Sequence, residues 1–91
     1  MLIAKVIGTV VATRKNTNLI GSKFMIVETL PVMGSGMQRL VAVDQAGAGI
    51  GDLVLVAQGS AARVQTGAEN ASIDAAIVGI VDNPEEIFVK E

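Results

Sequence analysis

Histidine, cysteine, tryptophan and tyrosine are absent from this 91-residue chain, and Phe24 and Phe88 are its only aromatic residues. Without histidine the commonest general acid–base group is missing, and with it the Ser–His and Cys–His pairings of covalent catalysis. Zinc loses the imidazole and thiolate ligands it favours. A carboxylate-only Mg²⁺ or Ca²⁺ site calls for clustered acids, and no Asp-x-Asp-x-Asp run occurs. The composition therefore argues against an enzyme and implies no metal and no cofactor. The absence of cysteine excludes disulfides and agrees with a reducing interior. No apolar run reaches the roughly 18 residues that span a bilayer. Lys5 interrupts the N-terminal apolar stretch, against a signal peptide. A cytoplasmic protein with no membrane partner is expected.

Basic charge is also scarce. Seven Lys/Arg stand against nine Asp/Glu, for a formal net charge of −2, and the cations are scattered apart from Arg14-Lys15. No basic stripe is available for phosphate contact, so no nucleic-acid partner is expected. What the chain has in excess is apolar surface, with 51% hydrophobic residues and a mean hydropathy of +0.55. A lone domain of this length buries only about 60–65% of its unfolded surface. The surplus predicts contact with other copies of the chain, since obligate interfaces resemble a core cut in half.

The length allows a single domain, residues 1–91. Valine and isoleucine dominate its apolar set, and β-branched residues suit pleated, half-buried surfaces. Residues 2–13 alternate, with Leu2, Ala4, Val6, Gly8, Val10 and Ala12 assigned to one face and Lys5, Thr9 and Thr13 to the other; Gly8 invites a bulge. Arg14–Ser22 reads as a loop and Lys23–Thr29 as a second strand, which Pro31 stops. Met33–Met37 is a turn and Arg39–Val43 a third strand. Gly47-Ala48-Gly49-Ile50-Gly51-Asp52 leads into a fourth strand, Leu53–Gln58. Ser60–Val64 fits one helical turn with Ser60 as N-cap, Thr66–Ser72 a loop, and Ile73–Asp82 a fifth strand. After Asn83-Pro84, the short tail to Glu91 reads as an added edge strand. Five short strands joined by glycine turns predict an all-β protein, a small five-stranded OB-like barrel over about residues 2–82 in which the short helical turn plugs the barrel between strands.

The glycines at 47, 49 and 51 do not make a phosphate loop, because a strand follows them where a helix and a lysine should stand. They suit positive φ or close backbone approach. Gly59-Ser60-Ala61-Ala62-Arg63 places a serine among small residues, yet no base accompanies it; packing is the better reading, with Arg63 either a solvated charge or a forked donor to carboxylate or carbonyl oxygens. Lys15 and Lys23 read as solvated charges. Asp44, Asp52, Asp74 and Asp82 fall at strand ends, where aspartate hydrogen-bonds its own turn. Met25, Met33 and Met37 read as gap-filling apolar surface.

Taken in order, Gly8–Thr13 with Lys15, Leu19–Lys23, Val41–Asp44, Gly47–Val56, Gly59–Arg63, and Asp74 with Ile77–Asp82 make the chain resemble the EutN/CcmL-type pentameric vertex proteins of bacterial microcompartments. Leu30–Gln38 and the tail after Pro84 depart from that pattern. The resemblance implies a cyclic homopentamer in the shell of a microcompartment, capping its vertices beside hexameric shell proteins. It makes Gly47, Ala48 and Gly49 candidates for the five-fold axis, and Gly59, Ser60, Ala61 and Arg63 candidates for the subunit interface. The rival reading is an OB-type module for single-stranded nucleic acid, which calls for a basic groove and exposed stacking aromatics.

Overall fold

The computed structural model describes residues 1–11, 23–34, 36–59, 62 and 74–90. Five strands form: β1 (Leu2–Val10), β2 (Phe24–Thr29), β3 (Arg39–Asp44), β4 (Leu53–Gln58) and β5 (Ala75–Val81). They close into a barrel in the order β1-β2-β3-β5-β4. Every seam is antiparallel except β3–β5, where only Val43↔Ala76 and Asp44↔Ile77 pair, in parallel. β4 has the expected bounds. β1 stops at Val10, short of Thr13, and β2 begins at Phe24 instead of Lys23. Ile73 and the loops at 14–22 and 66–72 lie outside the described residues.

Alternation builds the interior. Ala4, Val6, Met25, Val27, Ala42, Val54, Val56, Ala75 and Ile77, contributed by all five strands, form one buried cluster. Each full-sized apolar side chain among them contributes about 1.5–3 kcal/mol on burial. Of the three methionines read as fillers, only Met25 fills the core; Met33 and Met37 are exposed.

The face assignment of β1 holds only to Val6. A register shift falls between Val6, opposite Val27, and Gly8, opposite Ile26. A Cβ on Gly8 would meet Ile26 Cδ1 at 3.6 Å, so Gly8 faces the same side as Ile26, outside the barrel. One extra residue, Ile7, moves every later side chain to the other face. Gly8 and Val10 therefore belong outside, against the reading that grouped them with Ala4 and Val6.

A second, smaller cluster lies on the barrel's outer face. Val43, Ala57 and Ala76, whose strand neighbours Ala42, Val56 and Ile77 point inward, pack with Ala62, with Phe24 and Val78 at its margin. Ala62 is helical and donates its N–H to Gly59 O at 3.1 Å. It thus covers the outside of the barrel, contrary to the expected plug; Ser60, Ala61, Arg63 and Val64 of that turn lie outside the described residues. The interior cluster is completed instead by Ala48, with Ala46 beside it, from the β3–β4 turn.

Pro31 ends β2 as expected, opening a 3-10 turn at Pro31–Met33. The loop it starts is pinched at its neck: Thr29 N–H donates to Gln38 O at 2.9 Å, and Gln38 N–H donates to the buried Thr29 Oγ1 at 3.0 Å. The tail is not an edge strand. Asn83 Oδ1 accepts from Glu85 N–H at 3.0 Å and caps a second 3-10 turn, Pro84–Glu86. Ile87–Lys90 then joins no strand ladder.

Candidate subunit interface

The β3–β4 turn is organised by one carboxylate. Asp44 Oδ1 accepts from the N–H groups of Ala46 (3.0 Å) and Gly47 (3.1 Å), and Oδ2 from Ala48 (3.0 Å). Its side chain is 1% exposed. Lys23 Nζ lies 3.5 Å from Oδ2 and donates to Ala48 O at 3.3 Å. Lys23 is therefore a partner of the turn, although more than half of its side chain remains in solvent as its sequence context suggests. Asp52 does the same work on the far side, its Oδ2 accepting from Gly49 N–H at 2.8 Å. Two backbone bonds, Val6 N–H to Asp52 O at 2.9 Å and Gly51 N–H to Val6 O at 2.8 Å, clip the turn to β1. The roles expected for Asp44 and Asp52 are thus the observed ones, whereas Asp74 and Asp82 are exposed.

Within this turn the axis candidates separate. Gly47, at φ +76°, and Gly49 are exposed, and their backbone is open to a neighbour. Ala48 is 1% exposed, its side chain spent on the barrel's own core. A large side chain there would open the barrel end before touching another subunit. Gly59, at φ +64°, turns the chain after β4 and donates its N–H to Asp74 O at 2.7 Å. It lies at the opposite end of β4 from Gly47–Gly49, about 20 Å away along six strand residues. The candidates therefore form two places instead of one; Ser60, Ala61 and Arg63 cannot be added to either, being outside the described residues.

Sequence reasoning did not single out the outer faces of the strands, which carry exposed apolar surface. Gly8, Ile26 and Val41 form one row across β1, β2 and β3, with Val41 52% exposed. Ile3, Leu55 and Gly79 form another across β1, β4 and β5. Leu55 Cδ1 would lie 3.4 Å from a Cβ on Gly79, so this leucine spreads over the glycine. In the barrel's cyclic order β4 stands opposite the β2–β3 pair. The signal for these rows is the off-phase half of the strand alternation. A charged row, Lys5–Glu28–Arg39, separates the apolar patches along β1–β3, with Arg39 Nε donating to Glu28 Oε2 at 2.8 Å.

Chemistry has little foothold here. Among the described residues no group of three or more acidic residues is placed to hold a metal ion. The strand order is the OB-like one the nucleic-acid reading also expected, but Lys23 is committed to Asp44 and Phe24 packs at the edge of the outer cluster.

Comparison with known proteins agrees with this architecture. Residues 1–82 match the family model described as "Ethanolamine utilisation protein EutN/carboxysome". The chain is 47% identical over 89 residues to the bacterial microcompartment shell vertex protein GrpN of Rhodospirillum rubrum, covering 96% of this chain and 99% of that one. It is 48% identical over 83 residues to the carboxysome shell vertex protein CcmL of Synechocystis, covering 90% and 83%. The solved structure of the GrpN pentameric microcompartment shell protein from R. rubrum superposes with a TM-score of 0.76 at 45% identity, over 91% of this chain and 95% of that one. An apolar-faced barrel with no catalytic constellation among its described residues, matched along nearly its whole length by such relatives, belongs to the EutN/CcmL family of bacterial microcompartment shell vertex proteins, which are structural parts of the shell and not enzymes.

Proposed function

We propose that five copies of this chain close into a ring that caps a vertex of a polyhedral microcompartment shell. The observation that carries the reading is the pair of apolar rows on opposite sides of a closed barrel. A cyclic ring is built from heterologous contacts, in which one flank of each subunit meets a different flank of the next. The Ile26–Val41 row on β2–β3 supplies one flank, and Leu55 spread over Gly79 on β4–β5 the other. The exposed backbone at Gly47 and Gly49 faces the axis, and the segment around Gly59, Ser60, Ala61 and Arg63 contributes at a subunit boundary. Hexameric shell proteins of the facets are the ring's second partner, met along more polar surface, as expected of the rim of an assembly.

Native mass spectrometry tests the ring. The wild-type chain is expected near five times 9.4 kDa. Val41→Asp, which puts a charge on an outer-face position, is expected to give single chains with unchanged far-UV circular dichroism. Wild-type protein found only as single chains refutes the ring; an intact Val41→Asp pentamer moves the seam off β2–β3.

A further inference from the structure

The loop between β2 and β3 borders an open-mouthed cavity of about 180 Å³, lined by Thr29, Leu30, Pro31, Gly34, Gly36 and Met37. Its one polar side chain, the Thr29 hydroxyl, is already engaged with the backbone of Gln38. The loop Leu30–Gln38 contains no charged residue. An apolar cavity of about 150 Å³ holds a benzene ring, so this one suits a phenyl group. Such a group stands unused on the same molecule: Phe88, in the tail beyond the second 3-10 turn, is 88% exposed, and Val89 beside it is 59% exposed. An aromatic ring buries about 150–250 Å² when it finds a pocket, which makes full exposure a considerable forfeit.

Two further observations join ring and cavity. The family match ends at residue 82, before the tail begins, so Phe88 lies beyond it. The tail leaves β5 at Val81, which pairs with Leu53 of β4. It therefore emerges on the β4–β5 side, the flank that meets the neighbour's β2–β3 side in the ring, and the cavity belongs to the loop joining β2 to β3.

We propose that Phe88 of each subunit seats in the Thr29–Met37 cavity of the next, so that the tail latches adjacent barrels together. The latch rests on the pentameric reading above and adds to it a contact made by the tail beyond the family match. Each subunit gives one ring and receives one, so the latch closes around the pentamer with no cavity left over.

The chain has no native cysteine, so a disulfide pair reports the contact cleanly. The double variant Met37→Cys/Phe88→Cys, assembled and oxidised with copper phenanthroline, is expected to give a covalent ladder on non-reducing gels up to five times 9.4 kDa, collapsing on reduction. Each single-cysteine variant is expected to run as one chain. Native mass spectrometry of the same reduced sample separates the two ideas. A pentamer that yields no ladder, or only an internal disulfide within single chains, overturns the latch and leaves the ring standing; a sample of single chains overturns both. As a second reading, Phe88→Trp places the only tryptophan in the protein. Its emission is expected to be blue-shifted in the pentamer and to return toward the solvent value when Met37→Asp puts a charge in the cavity lining; an unshifted Phe88→Trp pentamer overturns the latch.

Discussion

Replacing Asp44 by alanine is expected to be the most damaging single change outside the barrel interior. The carboxylate accepts three backbone N–H bonds at 3.0–3.1 Å and faces Lys23 at 3.5 Å. Hydrogen bonds to a charged group contribute about 1.5–3 kcal/mol each, and less where water can replace the lost acceptor. Gly47 is exposed and its N–H can turn to water; Ala48 is buried and its N–H cannot. The three bonds act as one unit, so the loss is set at about 3–4 kcal/mol, below a simple sum. Ala48 would also lose the contact that holds it against the core. A chain of this length has about 5–14 kcal/mol of stability, and 1 kcal/mol moves the melting temperature of such a domain by about 4–8 °C. Asp44→Ala is therefore expected to lower it by on the order of 12–30 °C. Asp44→Asn keeps one oxygen but turns an NH₂ toward backbone donors, and about half that loss is expected. Lys23→Ala removes an ion pair and a long hydrogen bond to Ala48 O, both made by a cation half in solvent, at a cost of about 1 kcal/mol or less. Thermal melts followed by far-UV circular dichroism, at one protein concentration because assembly is linked to stability, give the order Asp44→Ala, Asp44→Asn, Lys23→Ala. An Asp44→Ala loss under about 1 kcal/mol refutes the reasoning, and would mean that the backbone clip between Val6 and Gly51–Asp52 holds the turn unaided.

Two other tests address the same turn and the outer partner. Gly51, at φ +95°, is expected to lose about 1–2 kcal/mol on mutation to alanine, whereas Gly49→Ala, with no positive φ and only Asp52 Oδ2 at 3.8 Å from its new Cβ, is expected to be near neutral in the same melts; equal losses would count against the conformational argument. Co-expression with a hexameric shell protein is expected to recover both chains in one closed particle on size exclusion, and persistent separation of the two would remove that partner.

Much of the fold is legible from short-range signals. β4 is an apolar run, Leu53–Ala57, closed by Gln58 between Asp52 and Gly59, and nothing in it competes with the strand. Pro31 ends β2 because it can neither donate to the ladder nor continue the strand. The bulge near Gly8 is also readable, but its consequence is not: Ile7 is the inserted residue, and the change of face it causes shows only in the pairing with β2. The same limit explains the candidate interface. Gly47, Ala48 and Gly49 look equivalent along the chain, and only the folded turn sends Ala48 inward and leaves the glycines outside. Lys23 and Asp44 lie 21 positions apart, and their pairing follows from the β2–β3 register. The tail misleads because Ile87-Phe88-Val89 has strand composition, while Asn83 and Pro84 set a capped turn and the barrel is already closed on itself.

The parallel seam carries a consequence for where the barrel opens. Joining Val43 to Ala76 brings together segments separated by more than thirty residues, for two residue pairs in return. Few pairs thus offset the chain-closure entropy of this junction. With only two residue pairs, this is the seam of the wall that opens at least cost, and an opened β3–β5 edge presents unsatisfied amides to which a sister molecule can pair.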